Sequence, residues 1–405
     1  MTASLPQSRL LAPLAVFAAV LAAMVVLNHG TTSPPALSAS GGRDYAALGN
    51  NFLTRARETG DPGYYSRAGR AFNAALRRDP ASVGGLVGAG ALAGLRHDFS
   101  EQLRLGREAS SVAPQLASPL TVIADAQIEL GRYGAARRTL QRLVDIKPGL
   151  PAYARVSYYR ELHGDLPGAI QAMRFAISAG GSPEGSAYVE ALLGDLELGR
   201  GRVGSARSAY REALRDVPSF PQALTGLARI DAAGGDLPRA AARLRRSTDR
   251  LPLTTSLVLL AEVEQALGRR RAANGDLAAA RVQHRLLGTN GTRPDAEAVL
   301  FEANHGSPAR AVQLGRRVWR AAPSIRSADA MGWALTRAGR PAAGLVWARR
   351  ALATGSRDAL FALHAGVAAR RSGLSGEAKR YLTAAVKGAA VLSPGSVRVL
   401  QETRS

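Results

Sequence analysis

The sequence predicts an all-α protein built from about ten antiparallel helix pairs, stacked one on the next and preceded by one N-terminal hydrophobic helix. Three observations carry that expectation. Pro80, Pro114 and Pro148 fall 34 residues apart, and Pro218 and Pro252 repeat the interval. Ahead of the prolines runs a small residue, a bulky one four positions on, and usually a small one three further: Ala68/Phe72/Ala75, Ala136/Leu140/Leu143, Ala206/Tyr210/Ala213 and Ala240/Leu244/Ser247. Steps of four and three return to one face of a helix. Composition agrees: 46% of the 405 residues are hydrophobic but only 5% aromatic, as expected of small side chains packed closely between helices. With no cysteine, disulfides and thiolate metal sites are excluded.

The amino terminus reads as a separate element. Arg9 precedes an uncharged 18-residue run, residues 10–27, which as a helix would extend about 27 Å and approach the roughly 30 Å hydrocarbon thickness of a bilayer. A secretory signal peptide has a shorter apolar core with a cleavage site close behind. Here the nearest small-residue site, near Ser38 and Ala39, lies about a dozen residues beyond the run. The run is therefore expected to be an uncleaved signal anchor, with a cleaved signal peptide and secretion as the alternative. Residues 1–9 would stay in the cytoplasm and the repeats would lie outside it. Residues 28–43, with Pro34-Pro35 and Gly41-Gly42, read as a flexible linker.

The repeats follow in order. Residues 44–267 form the regular array, in which Gly131, Gly164-Asp165, Gly199 and Gly234-Gly235-Asp236 mark the turns within pairs. Glycine suits those turns because a left-handed residue at a helix end costs it nothing. Residues 268–294 stretch the pattern into an extended helix and loop: Ala273, Leu277 and Ala280 hold the face, and apolar positions continue to Leu286-Leu287 before Gly288 and Gly291. Residues 295–394 return to helix pairs, and 395–405 are expected as a tail.

A helix-turn-helix unit of 34 residues with this small-bulky-small face resembles the tetratricopeptide repeat (TPR). The resemblance covers about 350 residues and, with the apolar amino terminus, suggests a bacterial, membrane-anchored or exported member. It implies a right-handed superhelix, an α-solenoid whose first helices line a concave groove and whose second helices form the convex outside. The groove positions so implied in five units run from Gly84, Val87, Ala91 and Gly94 to Ser256, Leu259, Val263 and Ala266, and among the twenty only Arg229 is an arginine. The candidate partner-binding residues are Tyr159 (or its neighbour Tyr158), Tyr188, Arg229 and Trp333. Some TPR proteins clamp a terminal carboxylate with Lys or Arg on consecutive first helices; residues 82–94 and 118–130 carry neither, so that clamp is not expected.

Net charge is +22, and all but three of the 53 cationic residues are arginine. A GC-rich coding bias accounts for such a preference as readily as function does. The arginines gather on second helices, as in Arg137/Arg138/Arg142, Arg207/Arg211 and Arg239/Arg243/Arg245/Arg246. Single-stranded nucleic acid needs cations interleaved with stacking aromatics on one track, and the inner positions show none, so nucleic acid is not an expected partner. The six histidines are scattered singly and no His-Glu-x-x-His, Gly-x-Ser-x-Gly or phosphate-loop motif occurs, so no catalytic residue, metal or cofactor is expected. The sequence thus points to a noncatalytic scaffold that holds a protein or peptide in its groove at or outside the cytoplasmic membrane. The alternative is an anionic envelope polymer or lipid headgroup bound by the convex arginines.

Overall fold

The structure, a computed structural model, describes residues 41–404; the apolar run at 10–27 and the rest of residues 1–40 lie outside the described residues. The described residues contain 21 α-helices, a short 3-10 turn and no strand. Twenty of the helices form ten pairs. In chain order these are α1 Gly41–Thr59 with α2 Gly63–Arg78, α3 Val83–Leu95 with α4 Phe99–Val112, α5 Ala117–Glu129 with α6 Tyr133–Ile146, α7 Leu150–Leu162 with α8 Leu166–Ser178, and α9 Pro183–Gly199 with α10 Val203–Asp216. The second five are α11 Pro221–Ala233 with α12 Leu237–Arg250, α13 Thr254–Ala266 with α14 Arg270–Thr289, α15 Ala296–His305 with α16 Pro308–Ala321, α17 Ile325–Arg337 with α18 Pro341–Leu352, and α19 Ala359–Arg371 with α20 Ser375–Lys387.

The repeated residues are the ones that lock each unit. Phe72 of α2 is fully buried between two glycines, one on its own first helix and one on the next. A methyl group at Gly49 or Gly88 would come within 2.4 or 2.2 Å of its ring. Tyr210 of α10 sits the same way between Gly194 and Gly226. Aspartates of the turns start second helices: Asp98, Asp165 and Asp236 accept hydrogen bonds from the amides of Glu101, Gly168 and Arg239, satisfying donors that a helix N-terminus leaves open. Serines 82, 182 and 324 do the same for first helices.

First and second helices differ in burial. α5, α17 and α19 are buried at eleven of their thirteen positions, whereas α6 buries only Ala136, Leu140 and Leu143. First helices are therefore interior and second helices exterior. Several exterior arginines reach inward: Asp231, at the end of α11 and 5% exposed, meets Arg243 at 2.6 Å, Arg239 at 3.5 Å and Arg207 at 3.7 Å. Glu264 of α13 is fully buried and is held by Arg245 and Arg269. Much of the arginine excess on these helices thus neutralises interior carboxylates.

The solenoid closes on itself. Arg250 Nη1 donates to the Glu58 carbonyl at 2.8 Å, Ile325 N to the Tyr133 hydroxyl at 2.9 Å, and Thr354 Oγ1 to the Leu162 carbonyl at 2.7 Å, each across 192 residues. Between them, Arg293 N donates to the Arg96 carbonyl at 2.8 Å, and Arg293 Nη2 to Asp98 at 2.5 Å. In every case the turn inside one pair meets the exit of the pair five places later. A constant offset of this kind means that units six to ten form a second superhelical turn lying on the first. Hydrophobic clusters cross the seam as well: Leu162 and Leu196 share a cluster with Ile325 and Phe361, and Ala191 and Leu227 share one with Met331 and Leu392.

Two expectations change. The implied groove is not an open trough, since Val87, Ala91, Thr121, Asp125, Ala191, Leu198, Thr225, Leu259 and Val263 are all buried: Val87, Ala91, Leu259 and Val263 pack against neighbouring helices of their own turn, while Ala191 and Leu198 share a cluster with the second. Residues 395–405 are not merely a tail: α21, Pro394–Arg404, buries Val397 and Leu400 and packs on α13 and α19. Two apolar residues three apart give too short a period to signal a helix. α1 begins at Gly41, inside the segment expected as linker, and α14 is the longest of the described helices at 20 residues. No described helix is long and apolar enough to cross a membrane.

A cavity between the two superhelical turns

Where the two turns do not meet, a cavity of about 1900 Å³ remains. That is roughly twice the upper end of small-molecule pockets, about 1,000 Å³. One wall is α1, with Asn50, Asn51 and Thr54; a second is the start of α9, α11 and α13, with Tyr188, Gln222 and Thr254. The opposite wall comes from second helices. Arg281, His284 and Arg285 lie on one face of α14, whose last turns run beyond its buried Ala273, Leu277 and Ala280. Arg310, Gln313 and Arg317 lie on one face of α16.

Nine arginines and six carboxylates line the cavity, but the carboxylates are mostly engaged. Glu58 pairs with Arg55 at 3.2 Å, Glu302 with Arg310 at 3.5 Å and Glu297 with Arg326 at 3.8 Å. Asp295 caps α15 through the Ala298 amide, and Glu129 accepts from the Tyr158 hydroxyl at 3.2 Å. Arg250, Arg281, Arg285 and Arg317 have no carboxylate partner among the described residues. The cavity is therefore electropositive. Its wall also holds buried polar atoms without a hydrogen-bond partner: the Tyr188 hydroxyl, Gln222 Oε1 and Thr292 Oγ1. Each is enclosed by protein, so the hydrogen bond it gives up to water costs stability.

Beneath the cavity lies a polar floor at the seam. Arg326 donates to the Tyr158 hydroxyl at 3.3 Å across the two turns. Burial alone would lower its basicity, but Tyr158, Glu129 and Glu297 outweigh that and raise it. Burial raises Glu297 well above the ordinary carboxylate range. Nearby, burial followed by the charges of Asp358 and Asp195 pushes Glu161 up to about 8. Asp195 itself accepts from Tyr210 at 2.6 Å and Arg229 at 3.0 Å, and Asp329 faces His364 at 2.9 Å.

The four candidate residues are not brought together. Tyr188, 4% exposed, lines the cavity. Arg229 spends its charge on Asp195. Trp333 is buried, stacked on His364 with centroids 4.2 Å apart, and donates Nε1 to Asn304 at 2.8 Å. Tyr159 stacks on His163 at 4.2 Å; its neighbour Tyr158 belongs to the floor. The unpaired cavity arginines Arg250, Arg281, Arg285 and Arg317 lie on second helices, where the resemblance implies an exterior face, although Arg281/His284/Arg285 and Arg310/Gln313/Arg317 carry a helix-face spacing. Only the curl of the superhelix turns those faces inward.

No protein-family model and no curated protein matches the chain. Among solved structures, it is similar to a tetratricopeptide repeat protein from Parabacteroides merdae, 18% identical over 60% of this chain and 98% of that one, with a TM-score of 0.42. A thermophilic TPR protein of Thermus thermophilus is 19% identical, covering 48% of this chain and 98% of that one, with a TM-score of 0.42. The APC/C hetero-tetramer Cut9–Hcn1 matches 92% of this chain and 79% of that one at 15% identity, with a TM-score of 0.41. The likeness concerns fold alone. The helix pairs themselves define the class, a TPR-like α-solenoid.

Proposed function

We propose that this protein is a noncatalytic TPR-like scaffold that holds a segment of a partner protein in the cavity between its superhelical turns. The single observation that carries this reading is a cavity too large for a small molecule and bounded by both turns. With residues 10–27 as a membrane anchor and 28–40 as spacer, the scaffold works at or outside the cytoplasmic membrane; cleavage of that segment would make it secreted. The convex arginines favour the anionic-polymer alternative less, because Arg207, Arg239, Arg243 and Arg245 face interior carboxylates.

A photo-crosslinking residue at Gln313, exposed on the cavity wall, tests the proposal in native membranes. It is expected to yield a discrete protein adduct, while the same probe at exterior Arg211 does not. Identical adducts from both positions, or none from Gln313, would contradict it.

A further inference from the structure

We infer that the segment this cavity takes is acidic and amphipathic, a stretch in which Asp or Glu alternates with apolar side chains; the inference rests on the scaffold reading above and specifies its ligand. Three features of the wall point to that chemistry. Arg281, Arg285 and Arg317 face in from α14 and α16 without a carboxylate partner among the described residues, and Arg285 and Arg317 make no hydrogen bond there either. Their charge is uncompensated within the cavity, so an anionic occupant gains and a cationic one is repelled. Between the arginines the wall is apolar, with Leu287, Leu314, Val318 and Phe220. An apolar strip between cations suits side chains that alternate in kind. Finally, Asn50 and Asn51 of α1 line the facing wall with accessible side-chain amides, and a peptide backbone offers both the acceptor and the donor that such amides take.

Nucleic acid is the weaker match for the same cations. Stacking platforms for bases need free ring faces, and four of the cavity rings are already engaged with one another. Phe99 stacks on His97 at 5.9 Å, while Phe301 meets His284 at 5.1 Å and carries the Arg281 guanidinium 5.7 Å from its centroid.

Fluorescence anisotropy on the full-length chain tests the inference with three labelled probes: a dodecapeptide of alternating Glu and Leu, its Gln/Leu counterpart, and the RNA dodecamer of uridine. The Glu/Leu peptide is expected to bind tightest. The double reversal Arg285→Glu/Arg317→Glu should weaken it by about tenfold or more, and Arg137→Glu/Arg138→Glu, an equal charge change on the exterior, by about twofold or less. Should the double reversal not fold, Arg285→Gln and Arg317→Gln serve separately, each at exposed side chains. Equal losses from cavity and exterior reversals would overturn the inference in favour of unspecific charge. Tighter RNA binding, lost with the cavity arginines, would overturn it in favour of nucleic acid. If the Gln/Leu peptide binds as well as Glu/Leu, acidity is refuted while the scaffold reading survives; if neither peptide binds, both fall.

Discussion

A single carboxyl group at the seam links the fold to pH. Glu161 ends the first-turn helix α7 beside Asp358 of the second turn, and burial together with the Asp358 and Asp195 charges raises it to about 8, against about 4.3 for an unfolded chain. Between those values the folded protein holds a proton that the unfolded chain has lost. Stability therefore falls as pH rises through that window. Substituting Glu161→Gln removes the titration, so the variant should melt higher than the parent at pH 8 and no higher at pH 5. Thermal melts at the two values check this, and a pH-independent difference would refute it. Nothing in the sequence marked Glu161, because the larger of the two charges beside it, Asp358, comes from the other superhelical turn.

At the scale of the element, the turns inside pairs do two jobs. Gly164 follows α7 with φ +74, the left-handed ending that the repeat pattern announces. The sequence could not announce that a methyl there would lie 2.1 Å from the Gly355 carbonyl oxygen, the backbone of the next superhelical turn. Gly131 approaches Pro323 in the same manner, whereas Gly235, φ +86, has nothing within 4 Å. The two kinds of glycine can be separated. Gly235→Ala should cost the strain of a left-handed alanine, about 1–2 kcal/mol. Gly164→Ala should cost that and about 1–3 kcal/mol more for overpacking. Urea midpoints at unchanged m measure both, and equal losses would mean that the turns do not touch. Helix identity and the plugging roles of Phe72 and Tyr210 were legible from spacing alone, since both are set within one unit and its neighbour. α21 was not, because its buried Val397 and Leu400 acquire meaning only from α13 and α19.

For the whole molecule, the decisive quantity is the number of units per superhelical turn. A period of 34 residues defines the unit but not the small rotation between units, and that rotation accumulates. Here about five and a half units complete a turn, judged from the 192-residue offset of the seam bonds. That offset explains why second-helix arginines face a cavity and why Tyr188 alone of the four candidates lines it. Because the chain has no cysteine, a spin-label pair can be placed on it without background. Nitroxides at Glu58→Cys and Arg250→Cys, whose parent residues are joined across the seam, report directly on the closure. A closed solenoid gives one short, narrow intramolecular distance by electron paramagnetic resonance; a long, broad distribution would show an open solenoid and contradict the closure.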